Sequence, residues 1–95
     1  MNIHLSEEVV AWYKRELDLE EGMYIRFFVR YGGFGGQLPS FSLGVNIEEP
    51  TEVYSSKELE GVTFYVEADD AWYFEEKDVH VHLDEKNDEP FFEYK

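Results

Sequence analysis

Residues 23–31 and 41–47 place an apolar side chain at every second position. Side chains of a β-strand point alternately to opposite faces, so this two-residue period predicts strands with one buried face, whereas a helix needs a period of 3.6. We predict a strand in each stretch and expect the two to pair antiparallel across residues 32–39. The pattern excludes an all-helical fold.

Weaker signals predict further strands. Residues 62–67 and 79–83 alternate in the same way, and several strands precede any second long helix, which argues against alternating βαβ units. We therefore predict a mainly β fold, a sandwich or barrel-like sheet of short antiparallel strands. The other predicted elements are an edge strand at 51–55, a polar connection at 57–61, a short helix around 71–74 capped by Asp69 or Asp70, and a last strand at 91–94.

The N-terminal segment predicts a single longer helix. Ser6 is a favourable N-cap residue, acidic residues follow it, and Lys14 and Arg15 suit the other end of the helix dipole. Val9, Tyr13 and Leu17 recur every four residues and form an apolar stripe. We predict a helix from Ser6 to Leu19 that packs on the sheet.

Length and charge limit the possible functions. The 95 residues are enough for one domain, 1–95, and 18% aromatic residues are too many for a disordered chain. The formal net charge of -14 disfavours nucleic acid and anionic membrane surfaces as partners. The chain has no cysteine, which excludes disulfides, thiolate nucleophiles and cysteine-held metal sites. It also has no apolar stretch of membrane-spanning length and no basic, apolar leader at residues 1–8, so we expect a cytoplasmic protein.

A glycine-rich segment, Gly32-Gly33-Phe34-Gly35-Gly36, separates the first two predicted strands. Glycines at this density permit positive φ and close approach of the backbone, so the loop can present Phe34 to a partner. No lysine follows in P-loop order, which disfavours a phosphate cradle. A plain hairpin connection and a partner-binding loop are the two interpretations that remain open.

Two histidines form the second candidate site. His80 and His82 lie two apart on a predicted strand and project from the same face, with Asp78 and Asp84 at the same parity. Imidazole and carboxylate ligands suit a divalent metal, but a solvated strand face produces the same pattern. Arg26 and Arg30 also share a face, where we expect pairing with surface carboxylates or, for Arg30, an anion site beside the loop.

Catalysis has no support in the sequence. Acidic doublets are expected by chance among 22 Asp and Glu residues, and the Gly-x-Ser-x-Gly motif of nucleophilic serines is absent. We predict that the protein is not an enzyme.

The order of these features resembles a known family. The stretch from Tyr24 to Gly36, the stretch from Val62 to Phe74 and the strand at 79–83 are similar to HesB-like domains, the A-type carriers of iron–sulfur cluster biogenesis (HesB/IscA-like), in their cysteine-lacking YneR-type branch. The resemblance implies a pseudo-barrel or sandwich. It also implies that Phe34 occupies the place of a cluster-binding cysteine. Because iron–sulfur clusters are held mainly by thiolates, no cluster ligand of the family is present in this chain.

These observations predict a HesB-like binding or accessory module without a cofactor, which contacts an unidentified protein partner through residues 32–36. The alternative is a metal-handling protein that binds iron or another divalent ion through His80, His82 and nearby carboxylates. A third possibility is a cluster shared with a partner that supplies the thiolates. The oligomeric state is not determined by the sequence.

Overall fold

The computed structural model describes residues 1–33 and 36–95. Over these residues the chain forms seven strands and two α-helices, which confirms the mainly β class. In chain order the elements are β1 (Ile3–Leu5), α1 (Glu7–Glu16), β2 (Tyr24–Tyr31), β3 (Phe41–Ile47), β4 (Val53–Leu59), β5 (Val62–Glu67), a 3-10 turn (Ala68–Asp70), α2 (Ala71–Phe74), β6 (Val79–Asp84) and β7 (Glu89–Tyr94).

The strands form two sheets, of order β1-β6-β7 and β3-β2-β5-β4. The predicted pairing of the first two long strands is confirmed: β2 and β3 are antiparallel, with Phe27 opposite Val45. The prediction of antiparallel strands throughout is wrong for two pairs, since β1 runs parallel to β6 and β2 runs parallel to β5. Parallel neighbours require a long crossover connection, which local sequence patterns do not reveal.

Aromatic side chains join the helix and the two sheets into one core. Phe27 of β2 is fully buried, and its ring centroid lies 5.9 Å from that of Phe64, 6.1 Å from that of Tyr13 and 5.6 Å from that of Phe92. Tyr13 belongs to α1, Phe64 to β5 and Phe92 to β7, so one side chain contacts all three layers. The inward face predicted for residues 23–31 is thus confirmed over its first half.

Helix α1 is shorter than the predicted range of Ser6 to Leu19. Ser6 is the N-cap, and its side chain accepts a hydrogen bond from the backbone N–H of Val9. The helix ends at Glu16, because Asp18 has a φ of 51° in the left-handed region, which a right-handed helix cannot continue. The chain then turns back, and Leu19 is buried in the core.

Two strands differ from their predictions. The sequence pattern missed β1, which has only three residues and too little alternation to detect. Strand β4 covers Val53–Leu59, so the predicted strand at 51–55 was too short and the predicted connection at 57–61 is mostly strand. The charged residues of β4 make its sequence look like that of a loop. β4 lies at a sheet edge, where lysine and glutamate prevent pairing with a strand of another molecule. Of the helices in the described ranges, none is long and apolar enough to span a membrane.

A buried carboxylate secures the connection between β3 and β4. Glu67 is 5% exposed and accepts hydrogen bonds from the hydroxyl of Thr51 and from the backbone N–H groups of Thr51 and Glu52. These bonds, the side-chain bond from Thr51 above all, lower the pKa of Glu67 below its ordinary value of 4.5. The carboxylate is therefore stabilised in its charged form.

Acid is expected to remove this contribution. Because the pKa of Glu67 is lower in the folded than in the unfolded protein, its contribution is fully present above about pH 5 and is lost as pH falls through the folded-state pKa. Glu67→Gln should lower the free energy of unfolding by about 1.5–3 kcal/mol at pH 7, the range for hydrogen bonds to a charged group. Urea unfolding of both proteins between neutral and acidic pH checks this, and the difference between them should shrink below pH 4.5.

The exposed neighbour Glu52 provides the control. Its side chain accepts no hydrogen bond among the described residues, so Glu52→Gln should change the free energy of unfolding at pH 7 by less than about 0.5 kcal/mol. A difference between wild type and Glu67→Gln that does not change with pH would contradict the assignment.

Candidate functional site

The glycine-rich loop connects the ends of β2 and β3. Of the residues predicted to contact a partner, Gly32, Gly33 and Gly36 are described, whereas Phe34 and Gly35 lie outside the described residues. Gly33 has a φ of 84°, and a Cβ there would overlap the hydroxyl of Ser42. A Cβ at Gly36 would overlap the carbonyl oxygen of Phe41. Glycine is therefore required where the loop approaches β3.

Helix α2 supports the far side of the loop. The backbone N–H of Gln37 donates a hydrogen bond to the hydroxyl of Tyr73, and the Gln37 side chain donates to Glu75 over 2.9 Å. Tyr73 is fully buried, and its hydroxyl lies 3.4 Å from that of Tyr94. Burial raises the pKa of Tyr94, and its hydrogen bond with Tyr73 raises it further, so the Tyr94 hydroxyl is neutral and supports the loop through Tyr73.

Three aromatic side chains form a row beside the loop: Tyr31, Phe41 and Trp72, which we call the aromatic row. Tyr31 ends β2 and is 83% exposed, and Trp72 of α2 is 51% exposed. The ring of Phe41 lies edge-to-face between them, with centroids 5.8 Å from Tyr31 and 5.3 Å from Trp72. Tyrosine and tryptophan in such a group are the residue types that dominate binding energy at protein interfaces.

Sequence periodicity predicted the wrong environment for one member of this row. Tyr31 shares the parity of the inward residues of β2 and was therefore predicted to be buried. The structure exposes Tyr31, and it also exposes Trp72 of α2, for whose burial the sequence made no prediction. Tyr31 lies at the end of its strand, where exposure increases along β2, and α2 has only four residues, too few to bury all their side chains.

A cleft with a mixed polar and apolar lining lies at the paired ends of β2 and β3, next to the residues that carry the aromatic row. Its volume is about 560 Å³, and Arg30, Ser42, Glu89 and Tyr94 contribute to its lining. The Nε of Arg30 donates a hydrogen bond to the Ser42 hydroxyl over 2.9 Å, and no carboxylate among the described residues lies within 4.0 Å of its guanidinium. The predicted pairing of Arg30 with a surface carboxylate is therefore wrong among the described residues, and the anion site at Arg30 stays a prediction.

Arg26 behaves as predicted. Its guanidinium contacts Glu48 and Asp70, each over 2.9 Å. Burial is the largest single effect on the pKa of Arg26 and lowers it, but the hydrogen bonds and charges of Asp70 and Glu48 together outweigh burial, so the pKa is raised. The sequence predicted that Asp69 or Asp70 caps α2. The side chain of Asp70 makes no capping hydrogen bond, because it is bound to Arg26. Instead, it fastens the start of α2 to β2, which helps to position Trp72.

The two predicted histidines lie on β6, which belongs to the three-stranded sheet, whereas the glycine-rich loop connects two strands of the four-stranded sheet. The rings of His80 and His82 are parallel, with centroids 6.2 Å apart. His82 Nε2 lies 2.9 Å from Glu93, outside hydrogen-bonding geometry, while His80 stacks on His4 of β1 at 4.3 Å. Burial lowers the pKa of His80, and the neighbouring His4 lowers it further. Local sequence patterns do not connect His4 with His80, because the two residues are 76 positions apart in the chain.

Comparison with known proteins reveals full-length relatives. A Bacillus subtilis protein named pyruvate dehydrogenase inhibitor is 48% identical over 94 residues, 99% of each chain. An uncharacterized protein of Staphylococcus saprophyticus is 36% identical over 94% of each chain. Another, of Staphylococcus haemolyticus, is 35% identical over 94% of this chain and 93% of its own length.

No family model and no solved structure matches the chain. The resemblance to HesB-like domains therefore stays a prediction.

Proposed function

Since the chain belongs to the family that includes the Bacillus subtilis protein named pyruvate dehydrogenase inhibitor, we propose that it is a cytoplasmic, non-catalytic regulator that binds pyruvate dehydrogenase and lowers its activity. Both chains match over almost their whole length, so the similarity extends over all elements of the fold. The predicted role as a binding module becomes, in this proposal, the binding of an enzyme target.

The observation that carries the proposal is the aromatic row beside the glycine-rich loop. A monomeric protein rarely leaves large aromatic side chains together at its surface without a binding role. Here Tyr31 and Trp72 are exposed on either side of Phe41, and buried contacts hold the elements beneath them. Rigid aromatic side chains lose little conformational entropy on binding, which makes them effective anchors in a partner's pocket.

The surroundings of the row supply the polar part of an interface. Arg30 lies in the adjoining cleft, and arginine joins tyrosine and tryptophan among the residues enriched at binding hot spots. The rest of the chain is strongly acidic, with 22 acidic against 8 basic residues. We propose that the bound face of the enzyme is basic around an apolar pocket, so that charge accelerates association and salt slows it.

The proposed relationship to HesB-like domains concerns the fold and not the ligand chemistry. Without a cysteine the chain has no thiolate to hold an iron–sulfur cluster. A regulator that keeps such a fold needs only its surface to contact the target. In this proposal the predicted loop, residues 32–36, forms one edge of that surface.

The experiment measures inhibition and contact with the same protein. Trp12→Phe leaves Trp72 as the single tryptophan, and its replacement by 5-hydroxytryptophan gives a fluorophore that can be excited separately from the tryptophans of the enzyme. The labelled protein is titrated into Bacillus subtilis pyruvate dehydrogenase while activity and acrylamide quenching are recorded. The Bacillus subtilis relative serves as the positive control.

We expect activity to fall as the protein is added, and quenching of residue 72 to decrease over the same concentration range, because the bound enzyme shields this side chain. Inhibition by the relative but not by this protein would refute the proposed function. Inhibition without any change in quenching would keep the function but exclude the aromatic row as the contact surface.

A further inference from the structure

Strand β1 brings a third histidine next to the predicted pair. β1 and β6 run parallel, with His4 directly opposite His80 in the register. The two imidazole rings stack with centroids 4.3 Å apart and an interplanar angle of 15°. Two histidines far apart in the chain thus share one face of the three-stranded sheet.

A carboxylate completes this group. Asp78 Oδ2 lies 3.1 Å from Nε2 of His4, and Oδ1 accepts a hydrogen bond from the backbone N–H of Asn2 over 2.8 Å. The backbone of Asp78 exchanges hydrogen bonds with Lys95, over 2.8 and 3.0 Å. Asp78 is therefore fixed just before β6, its carboxylate by Asn2 and its backbone by Lys95.

We propose that His4, Asp78 and His80, the His4–Asp78–His80 cluster, bind a divalent transition-metal ion such as Zn²⁺. One ligand atom from each residue lies within 4.8 Å of the other two. Ligand atoms bound at about 2.0–2.1 Å to one zinc ion are at most about 4.2 Å apart, so small side-chain rotations close the site. The His4 side chain is 48% exposed, so there is open space on its solvent side for that rotation.

The chemistry and the charge of the cluster agree with this assignment. Two imidazoles and one carboxylate are a ligand set that suits zinc, iron(II), cobalt(II) and nickel(II), and exposure leaves the remaining coordination positions to water. The acidic chain attracts cations toward its surface. His82 is excluded from the cluster, because it lies next to Glu93 on the β7 side.

The site would have a mechanical consequence. β1 has only three residues, and a metal bound to His4 of β1 and to His80 of β6 would clamp this strand to the sheet. The cluster is separate from the surface of the proposed regulatory function, because Tyr31 and Phe41 of the aromatic row lie on the four-stranded sheet and Trp72 lies on α2.

The test is calorimetric titration of the full-length protein with Zn²⁺ in an excess of Mg²⁺, which occupies scattered surface carboxylates but not imidazoles. We expect one zinc per chain. His4→Ala and His80→Ala should each weaken binding by at least about tenfold, since each removes one of three ligands. The matched control is His82→Ala, on the same strand face as His80, which should bind within about twofold of wild type, because His82 is not a ligand.

A second measurement does not depend on the cluster variants being folded. Zinc should slow hydrogen exchange of the β1 amides in wild type and in His82→Ala alike, because the clamped strand opens less often. Absence of zinc binding in the presence of Mg²⁺, or unchanged binding by His4→Ala, would overturn the proposal. A loss in His82→Ala equal to that in His80→Ala would also overturn it and place any site at the His80 and His82 pair.

Discussion

Trp72→Ala is expected to weaken binding to pyruvate dehydrogenase by about 30-fold or more, corresponding to a loss of at least about 2 kcal/mol, the range for a buried interface tryptophan. The reason is geometric. Trp72 is half exposed on a helix that the Arg26–Asp70 ion pair fastens to β2, so the indole is already held in position before the partner arrives. Inhibition curves recorded at fixed ionic strength measure the effect.

Ile47→Ala is the matched control for Trp72→Ala. Ile47 is 54% exposed, close to the 51% of Trp72, but it lies at the other end of β3 from Phe41, about 20 Å away at 3.3–3.4 Å per residue. We expect inhibition by this variant to remain within about twofold of wild type, since most exposed residues outside an interface contribute little. Equal losses in the two variants would show that the aromatic row is not the interface.

Phe27→Ala is expected to lower the free energy of unfolding by about 3–5 kcal/mol, the usual cost of truncating a buried phenylalanine. Small domains are stable by only about 5–15 kcal/mol in total, so this single change should leave a substantial unfolded fraction near the growth temperature. The side chain is fully buried and contacts Tyr13, Phe64 and Phe92, so the cavity would open where α1 and both sheets meet. Thermal and urea unfolding measure the loss.

Phe91→Ala serves as the control for Phe27→Ala. Phe91 is 43% exposed and stacks only against His82 among the described rings, so its removal should change the free energy of unfolding by less than about 1 kcal/mol. A loss in Phe27→Ala no larger than that in Phe91→Ala would mean that the core does not depend on the junction at Phe27.

Local patterns predicted the long strands well and the short elements poorly. β2 and β3 have enough residues for the two-residue period to be detected, and the hairpin between them followed from their adjacency in the chain. β1 has three residues and no period to detect. The polar sequence of β4 resembles that of a connection. Its charged residues prevent pairing with another chain, and this need is visible only once β4 is known to be an edge strand.

The candidate sites likewise combine features that the sequence predicted with features that it did not. The glycine-rich loop was predictable because residues 32–36 are consecutive, and the face shared by His80 and His82 followed from their spacing. Neither the exposure of Tyr31 nor the approach of His4 to His80 could be predicted, since the first depends on where a strand ends and the second on the pairing of residues 76 positions apart.

By itself, the sequence determined the mainly β class, the β2–β3 hairpin, the absence of thiolate chemistry and the strongly acidic surface, because each depends on residue types or on neighbours along the chain. Only the tertiary structure decided that the aromatic row is exposed, that two strand pairs are parallel and that His4, Asp78 and His80 lie together. Exposure and long-range pairing follow from how the two sheets and α1 bury their apolar faces against one another, and that packing minimises the free energy of the whole chain and not of any segment.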